Sequence, residues 1–161
     1  KIQENNINGG SYRIYCRKFK KGSIKLPEEN VLKLMNDFIK RVKKNKNLIV
    51  KFIKGKIKEN KKIFLYGAST KGNTVLQYYG LNKEMIPYAA ERSPEKWGRY
   101  TIGTGIKIIS EKKARSLNPD YFFVTPWGFI KEFVKREQDW IKKGGTFILP
   151  FPKFKLIKNN E

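Results

Sequence analysis

The stretch "KIFLYGASTKGNT", residues 62–74, decides the fold class of this chain. A short apolar run enters a glycine turn, and the following "NTVLQYYGL" has the spacing of a helix that ends near Gly80. A strand, a glycine turn and a helix in this order are typical of a parallel α/β sheet. The spacing of glycine and small polar residues in the turn is similar to that of a phosphate-binding loop, so the turn is the first candidate site.

The rest of the chain continues the alternation of strand and helix. Four more apolar runs predict strands: "MIPYAAE", "GIKIIS", "YFFVTPW" and "TFILPFP". Between them, "SEKKARSLN" predicts a helix with Ser110 as its N-cap, and residues 128–145 predict a helix stopped by Gly144 and Gly145. The sequence therefore predicts an α/β fold, with a Rossmann-like parallel sheet flanked by helices over residues 61–157.

Two elements precede this domain. The segment "NNINGGSYRIYCRK" predicts a turn and then a strand within residues 1–20. Residues 27–60 predict a long amphipathic helix that begins at Pro27 and is broken at most once, near residues 45–47. This helix is expected to connect to the sheet and to pack on it through one apolar stripe, formed by Val31, Met35, Phe38, Val42, Ile49, Phe52 and Ile57.

Composition excludes several kinds of chemistry. The 161 residues include one cysteine and no histidine, which excludes a disulfide framework, argues against a Cys/His zinc site and removes the commonest general base. Any catalysis by this chain alone would have to use carboxylate, lysine or tyrosine side chains. We assign no metal ligand in this chain. No apolar run approaches the roughly 20 residues of a membrane span, and no signal-peptide pattern opens the chain. A cytoplasmic protein that does not bind membranes is expected.

The formal net charge is +22, from 36 Lys and Arg against 14 Asp and Glu. Such a surplus attracts polyanions without sequence preference. The lysines are scattered along the whole chain, however, and no motif typical of nucleic-acid recognition is present. The charge therefore favours solvated lysine-rich surfaces over a specific nucleic-acid site.

The glycine turn fits neither standard phosphate motif. A dinucleotide fingerprint has glycine where Ser69 stands, and a P-loop has lysine where Asn73 stands. The start of a helix nevertheless favours anions, because its N–H groups carry partial positive charge. Anion binding and a polar helix cap both remain open from the turn alone. Its candidate ligands are Ser69, Thr70, Lys71 and Asn73.

Two further loops lie at the carboxyl ends of predicted strands, where ligands bind in such sheets. Glu91 follows the second strand of the domain, where an acid binds ribose hydroxyls in NAD-binding folds, although it could instead pair with Arg92. The loop after it offers phosphate contacts and an aromatic face. The last loop places Trp127 and Phe129 at a strand tip, where aromatic rings either pack or face a ring of the ligand. The candidates are Lys96, Arg99 and Tyr100 in the first of these loops and Trp127 in the second.

Taken together, these segments resemble one known family. The matching stretches are "GGSYRIYC", "YGASTKGNTVLQYYGL", "AERSPEKWGRYTIGTGIKI", "PDYFFVTPWGF" and "GGTFILPFP". They resemble the C-terminal domain of S-adenosylmethionine-dependent sugar C-methyltransferases, which methylate a carbon of nucleotide-linked deoxy-keto-sugars. The likeness extends over nearly the whole chain.

The resemblance implies that the three domains of such an enzyme have different roles. In that family an N-terminal region binds zinc, and a middle domain binds S-adenosylmethionine and carries the catalytic residues. The C-terminal domain helps to hold the nucleotide-sugar, so the resemblance implies no catalytic residue in this chain. Residues 1–20 would then be the last strand of the middle domain, which would be a partner of this chain. Neither zinc nor S-adenosylmethionine would bind here, and the turn would hold the sugar's diphosphate, with Arg13 as a further substrate contact.

The chain departs from the family pattern at a few positions. The family usually has Asp-Arg-Asn-Pro where residues 91–94 read "ERSP", proline where Ile102 stands and asparagine where Gly128 stands. These departures bear on sugar specificity more than on the fold. Two other interpretations stay open: a freestanding NAD(P)-binding oxidoreductase or epimerase domain, and a basic polyanion-binding protein.

Overall fold

The computed structural model describes residues 2–5, 11–16, 18 and 31–158, in two units that span residues 1–39 and 40–161. The predicted helix start at Pro27 and the predicted Gly-Gly turn lie outside the described residues. In the first unit, β1 (Ile2–Asn5) and β2 (Ser11–Ile14) form an antiparallel hairpin. The sequence predicted β2 but not β1.

The helix α1 (Val31–Lys58) is continuous through residues 45–47, in agreement with the first of the two forms that the sequence allowed, an unbroken helix or one broken there. Its second half places Ile49 and Ile53 in the core, and the ring of Phe52 packs edge-on against Tyr121. Met35 and Phe38, in the part of α1 that belongs to the first unit, are 56% and 60% exposed, and packing of this part of the stripe on the sheet stays a prediction. Amphipathic spacing identifies an apolar face but does not say what covers it. No helix within residues 31–158 or the other described segments is long and apolar enough to cross a membrane.

The second unit contains a six-stranded sheet with the order β5-β4-β3-β6-β7-β8. The first five strands in this order are parallel, as predicted, whereas β8 runs antiparallel to β7 and was not predicted. The strands are β3 (Ile63–Tyr66), β4 (Tyr88–Glu91), β5 (Lys107–Ser110), β6 (Tyr121–Val124), β7 (Thr146–Leu149) and β8 (Lys155–Ile157).

Four helices follow strands of this sheet: α2 (Thr70–Tyr79), α3 (Glu111–Ser116), α4 (Ile130–Arg136) and α5 (Gln138–Lys142). Ser110 caps α3 as predicted, because its side chain accepts a hydrogen bond from the Lys113 amide, and α2 ends at Gly80 in the left-handed conformation. The single helix predicted over residues 128–145 is instead a short 3-10 turn followed by α4 and α5, which are separated at Glu137.

The side chains of β3 alternate between two cores. Ile63 and Leu65 join the core under α1 and α2, and Phe64 and Tyr66 join the core under α3, α4 and α5. All four residues are buried, as expected for a parallel strand covered on both faces. The chain moves from β3 outward to β4 and β5 and then returns to β6 on the other side of β3. Ligands bind at such a switch point, beyond the carboxyl ends of the strands.

Candidate functional site

A cavity of about 340 Å³ opens at the carboxyl ends of β3 and β4. Its lining comes from the turn that follows β3, the segment at the end of β4, the first residue of α3, and the segment 126–136 after β6. The volume is within the range of small-molecule sites, and the position is the switch point of the sheet. This cavity is the candidate functional site.

Two glycines allow the turn to approach the segment after β6. Gly67 has φ +84°, and a Cβ on it would lie 2.5 Å from Cγ of Pro126. A Cβ on Gly72 would lie 2.5 Å from Oγ1 of Thr125. The Thr125 hydroxyl donates a 2.6 Å hydrogen bond to the carbonyl of Gly67. The turn is therefore fixed against β6 by contacts that a larger side chain would disrupt.

Ser69 is the N-cap of α2, and its Oγ accepts a 3.0 Å hydrogen bond from the Gly72 amide. The amide of Asn73 donates to the Ser69 carbonyl at 3.1 Å. Thr70 and Lys71 are exposed in the first turn of α2. Ser69 lines the cavity, whereas Thr70, Lys71 and Asn73 are adjacent to it in sequence but outside its lining.

Glu91 connects the glycine turn to the loop after β4. Its Oε2 accepts hydrogen bonds from the Ala68 amide at 2.9 Å and from Nζ of Lys96 at 3.4 Å. Its Oε1 accepts from the amides of Arg92 and Ser93 at 3.0 and 3.1 Å. Lys96 also donates to the Ala68 carbonyl at 3.3 Å. Both carboxylate oxygens of Glu91 are thus engaged within the chain, in an arrangement that positions two loops.

The structure brings some predicted residues together and leaves others apart. Ser69, Glu91, Arg92 and Lys96 all line the cavity. Besides Thr70, Lys71 and Asn73, three more predicted residues of the second unit are outside its lining: Arg99, Tyr100 and Trp127. Trp127 is half-buried, with its ring centroid 4.8 Å from that of Phe151, and Arg13 is exposed on β2 in the first unit. A substrate role for these residues remains a prediction.

A network of buried polar groups lies beside the cavity and was not predicted. The Tyr66 hydroxyl donates to Oε1 of Glu137 at 2.7 Å and accepts from Nε and Nη2 of Arg136 at 3.2 and 3.1 Å. Arg136 also bonds Glu111 at 2.8 Å, and Arg115 bonds Glu137 at 2.6 Å. Tyr66, Glu111 and Arg136 line the cavity. The one signal in the sequence was a tyrosine, which needs a partner when buried, at the end of an apolar strand.

Comparison with known proteins identifies the family. Residues 6–152 match the family described as the C-methyltransferase C-terminal domain. The chain belongs to this family. Over 109 residues it is also 30% identical to the C-methyltransferase NovU of Streptomyces niveus, a match that covers 68% of this chain and 26% of NovU. The chain therefore spans about a quarter of the length of this relative.

Burial raises the pKa values of Tyr66 and Glu137, which belong to the polar network beside the cavity of this C-methyltransferase C-terminal domain. Removal from water raises the pKa of the Tyr66 hydroxyl well above its ordinary value, and its bond to Glu137 adds to the effect. Tyr66 is therefore a neutral hydrogen-bond donor. Burial also raises the pKa of Glu137, although Tyr66 and Arg115 act against this. Within the described residues, Oε2 of Glu137 is buried and has no hydrogen-bond partner.

Among the described residues, no group of three or more His, Cys, Asp or Glu side chains is arranged to hold a metal ion. The carboxylates beside the cavity are instead paired with arginine or lysine side chains.

Proposed function

We propose that this domain is part of an S-adenosylmethionine-dependent methyltransferase and that it holds the diphosphate of a nucleotide-linked deoxy-keto-sugar. One observation carries the proposal. In a domain of the C-methyltransferase family, a glycine turn and two cationic side chains, Arg92 and Lys96, line one cavity at the switch point of the sheet.

The electrostatics of the turn favour a diphosphate. The amino end of α2 carries partial positive charge, and Lys71 adds a full charge in its first turn. Arg92 and Lys96 approach from the loop after β4, and Glu91 fixes that loop to the turn. Donors that are already in place do not lose conformational freedom when the ligand binds. Lys71 then acts through its charge, and Ser69, Thr70 and Asn73 supply polar contacts.

The methyl donor does not fit this cavity. A ribose-binding acid would stand at Glu91, but both oxygens of its carboxylate accept hydrogen bonds from the chain itself. We therefore expect no binding when this chain is titrated with S-adenosylmethionine in a calorimeter. Binding at micromolar concentration would require the turn and Glu91 to be reassigned as a donor site.

The chemical steps belong to the rest of the enzyme in this proposal. Removal of the proton beside the keto group, binding of the methyl donor and binding of zinc are assigned to an upstream partner domain in a cytoplasmic enzyme. This domain contributes positioning of the substrate and neutralisation of its diphosphate charge.

Replacement of Lys71 in the whole methyltransferase tests the proposal. We expect Lys71→Ala to raise the dissociation constant for the nucleotide-sugar roughly ten- to hundred-fold, because a charge-assisted hydrogen bond is worth about 1.5 to 3 kcal/mol. The affinity for the methyl donor should not change. Lys142→Ala removes an exposed lysine from α5 and is the matched control. Equal nucleotide-sugar affinity in the two variants would mean that the turn only caps α2.

A further inference from the structure

The cavity has two walls of different chemistry. The turn wall consists of residues 67–69 with Glu91, Arg92 and Lys96. The helical wall consists of Glu111, at the start of α3, and of Phe129, Glu132, Phe133 and Arg136, which follow β6. The turn wall presents main chain at the start of a helix, two cations and the carboxylate of Glu91, which bonds Lys96 at 3.4 Å. The helical wall presents two carboxylates, two aromatic rings and one guanidinium group.

The helical wall is unsuited to phosphate. The guanidinium of Arg136 bonds Glu111 at 2.8 Å and Glu132 at 3.0 Å, so two carboxylates balance its charge. A phosphate group placed beside Arg136 would also lie close to these two carboxylates, and contacts between like charges are unfavourable. The ion pairs of the turn wall are longer, 3.4 Å from Lys96 to Glu91 and 3.8 Å from Arg92 to Glu132, and the start of α2 adds main-chain donors. The diphosphate is therefore expected at the turn wall.

The same wall is suited to a neutral ring that carries polar groups. Phe129 is 57% exposed, and its ring centroid lies 6.3 Å from that of the buried Phe133. An exposed phenylalanine offers a stacking face to a planar base. The carboxylates of Glu111 and Glu132 accept hydrogen bonds, and Arg136 donates them. Bases and ribose hydroxyls offer the complementary groups.

We infer that the helical wall receives the nucleoside end of the substrate while the turn wall receives its diphosphate. This inference rests on the proposed function and adds the orientation of the substrate in the cavity. Phe129 stacks on the base, and Glu111, Glu132 and Arg136 contact polar groups of the base or ribose. The sugar that is methylated then lies on the far side of the diphosphate, away from the helical wall.

The buried network keeps the helical wall in place. Tyr66, at the end of β3, accepts hydrogen bonds from Nε and Nη2 of Arg136 and donates to Glu137. Arg136 also lies over the rings of Tyr66 and Phe133, at 5.8 and 5.2 Å from their centroids. The orientation of Arg136 is therefore fixed by the sheet before any ligand binds, which favours selective recognition.

Calorimetric titration of the 161-residue chain with inorganic pyrophosphate and with the diphosphates of uridine, thymidine, guanosine and cytidine tests the inference. We expect at least one nucleoside diphosphate to bind more tightly than pyrophosphate. Phe129→Ala should lower the affinity for that nucleoside diphosphate about tenfold and leave the affinity for pyrophosphate unchanged, because Phe129 stacks only on the base. Phe129→Tyr should restore the affinity. Arg92→Ala, at a side chain that is 77% exposed, should lower the affinity for both kinds of ligand.

The outcomes separate the two proposals. Absence of binding by pyrophosphate and by every nucleoside diphosphate would overturn the proposed function, and the inference with it. Equal affinity for pyrophosphate and the nucleoside diphosphates would overturn the inference but leave diphosphate binding intact. An equal effect of Phe129→Ala on the affinities for both kinds of ligand would also overturn the inference and leave diphosphate binding intact.

Discussion

The Tyr66 hydroxyl donates a 2.7 Å hydrogen bond to Oε1 of Glu137, a carboxylate that is 1% exposed. This bond joins the carboxyl end of β3 to the point where α4 ends and α5 begins. The same oxygen accepts from Nη1 of Arg115 at 2.6 Å. One buried carboxylate thus links the central strand to the helices on one face of the sheet, directly beside the cavity.

Loss of this carboxylate should destabilise the domain. Glu137→Ala leaves the Tyr66 hydroxyl and the Arg115 guanidinium without their buried acceptor. Removal of one partner from a buried pair costs about 3 to 5 kcal/mol, and we expect a loss near the lower value because Arg115 is partly exposed. The loss in free energy of unfolding is measured by urea denaturation, with circular dichroism as the signal. Glu84→Ala, at an exposed side chain, is the control, and similar losses in both variants would contradict the account.

The raised pKa of Glu137 also predicts a pH dependence of stability. A carboxyl group whose pKa is higher in the folded protein favours folding below its ordinary value of 4.5, and this contribution is lost as the pH rises through the folded pKa. The difference in unfolding free energy between the wild type and Glu137→Gln should therefore shift against the wild type as the pH rises through this window. Unfolding curves at several pH values test this, and a constant difference would show that the pKa of Glu137 is the same in both states.

The close approach of the turn to β6 predicts a strong effect at Gly72. A Cβ there would meet Oγ1 and Cβ of Thr125 at 2.5 and 2.6 Å, so Gly72→Ala must displace either α2 or the segment after β6. Overpacking of this kind costs about 1 to 3 kcal/mol. A Cβ on Gly128 would meet nothing within 4 Å, so Gly128→Ala is the matched control. A Gly72→Ala variant with the melting temperature of the control would rule out this contact.

The two halves of α1 should respond differently to the same substitution. Ile53 is fully buried, and an unpaired charge in a core costs several kcal/mol, so Ile53→Asp should unfold the second unit. Leu34 is 52% exposed, and Leu34→Asp should be tolerated. Circular dichroism of the two variants makes the comparison. Unfolding caused by Leu34→Asp would show that another surface covers the first half of the helix.

The fold was largely predictable from the sequence because a parallel sheet is buried on both faces. Its strands therefore appear as continuous apolar runs, as in "IFLY" and "YFFV", separated by glycine turns and helical spacing. The strand β8 was missed because it has only three residues and follows two prolines. The helix after β6 was predicted as one piece because Glu137, where it divides, resembles an ordinary exposed helix residue in the sequence.

The site was predictable only where position along a strand determines it. Loops at the carboxyl ends of neighbouring strands must converge, which is why Ser69, Glu91, Arg92 and Lys96 line one cavity. The contact between Tyr66 and Glu137 spans 71 positions, and no local pattern encodes such a pairing. The ring of Trp127, at a strand tip, packs on Phe151, and its predicted substrate role stays a prediction.

The central claim is that the turn after β3 and the loop after β4 bind a diphosphate. Amide chemical shifts of the ¹⁵N-labelled chain, recorded during titration with inorganic pyrophosphate at about 0.15 M salt, test it most directly. The account predicts saturable shifts concentrated in residues 67–73 and 92–96. Shifts spread over the lysine-bearing helix surfaces and abolished by added salt would contradict it, because they would show non-specific polyanion binding in place of a site.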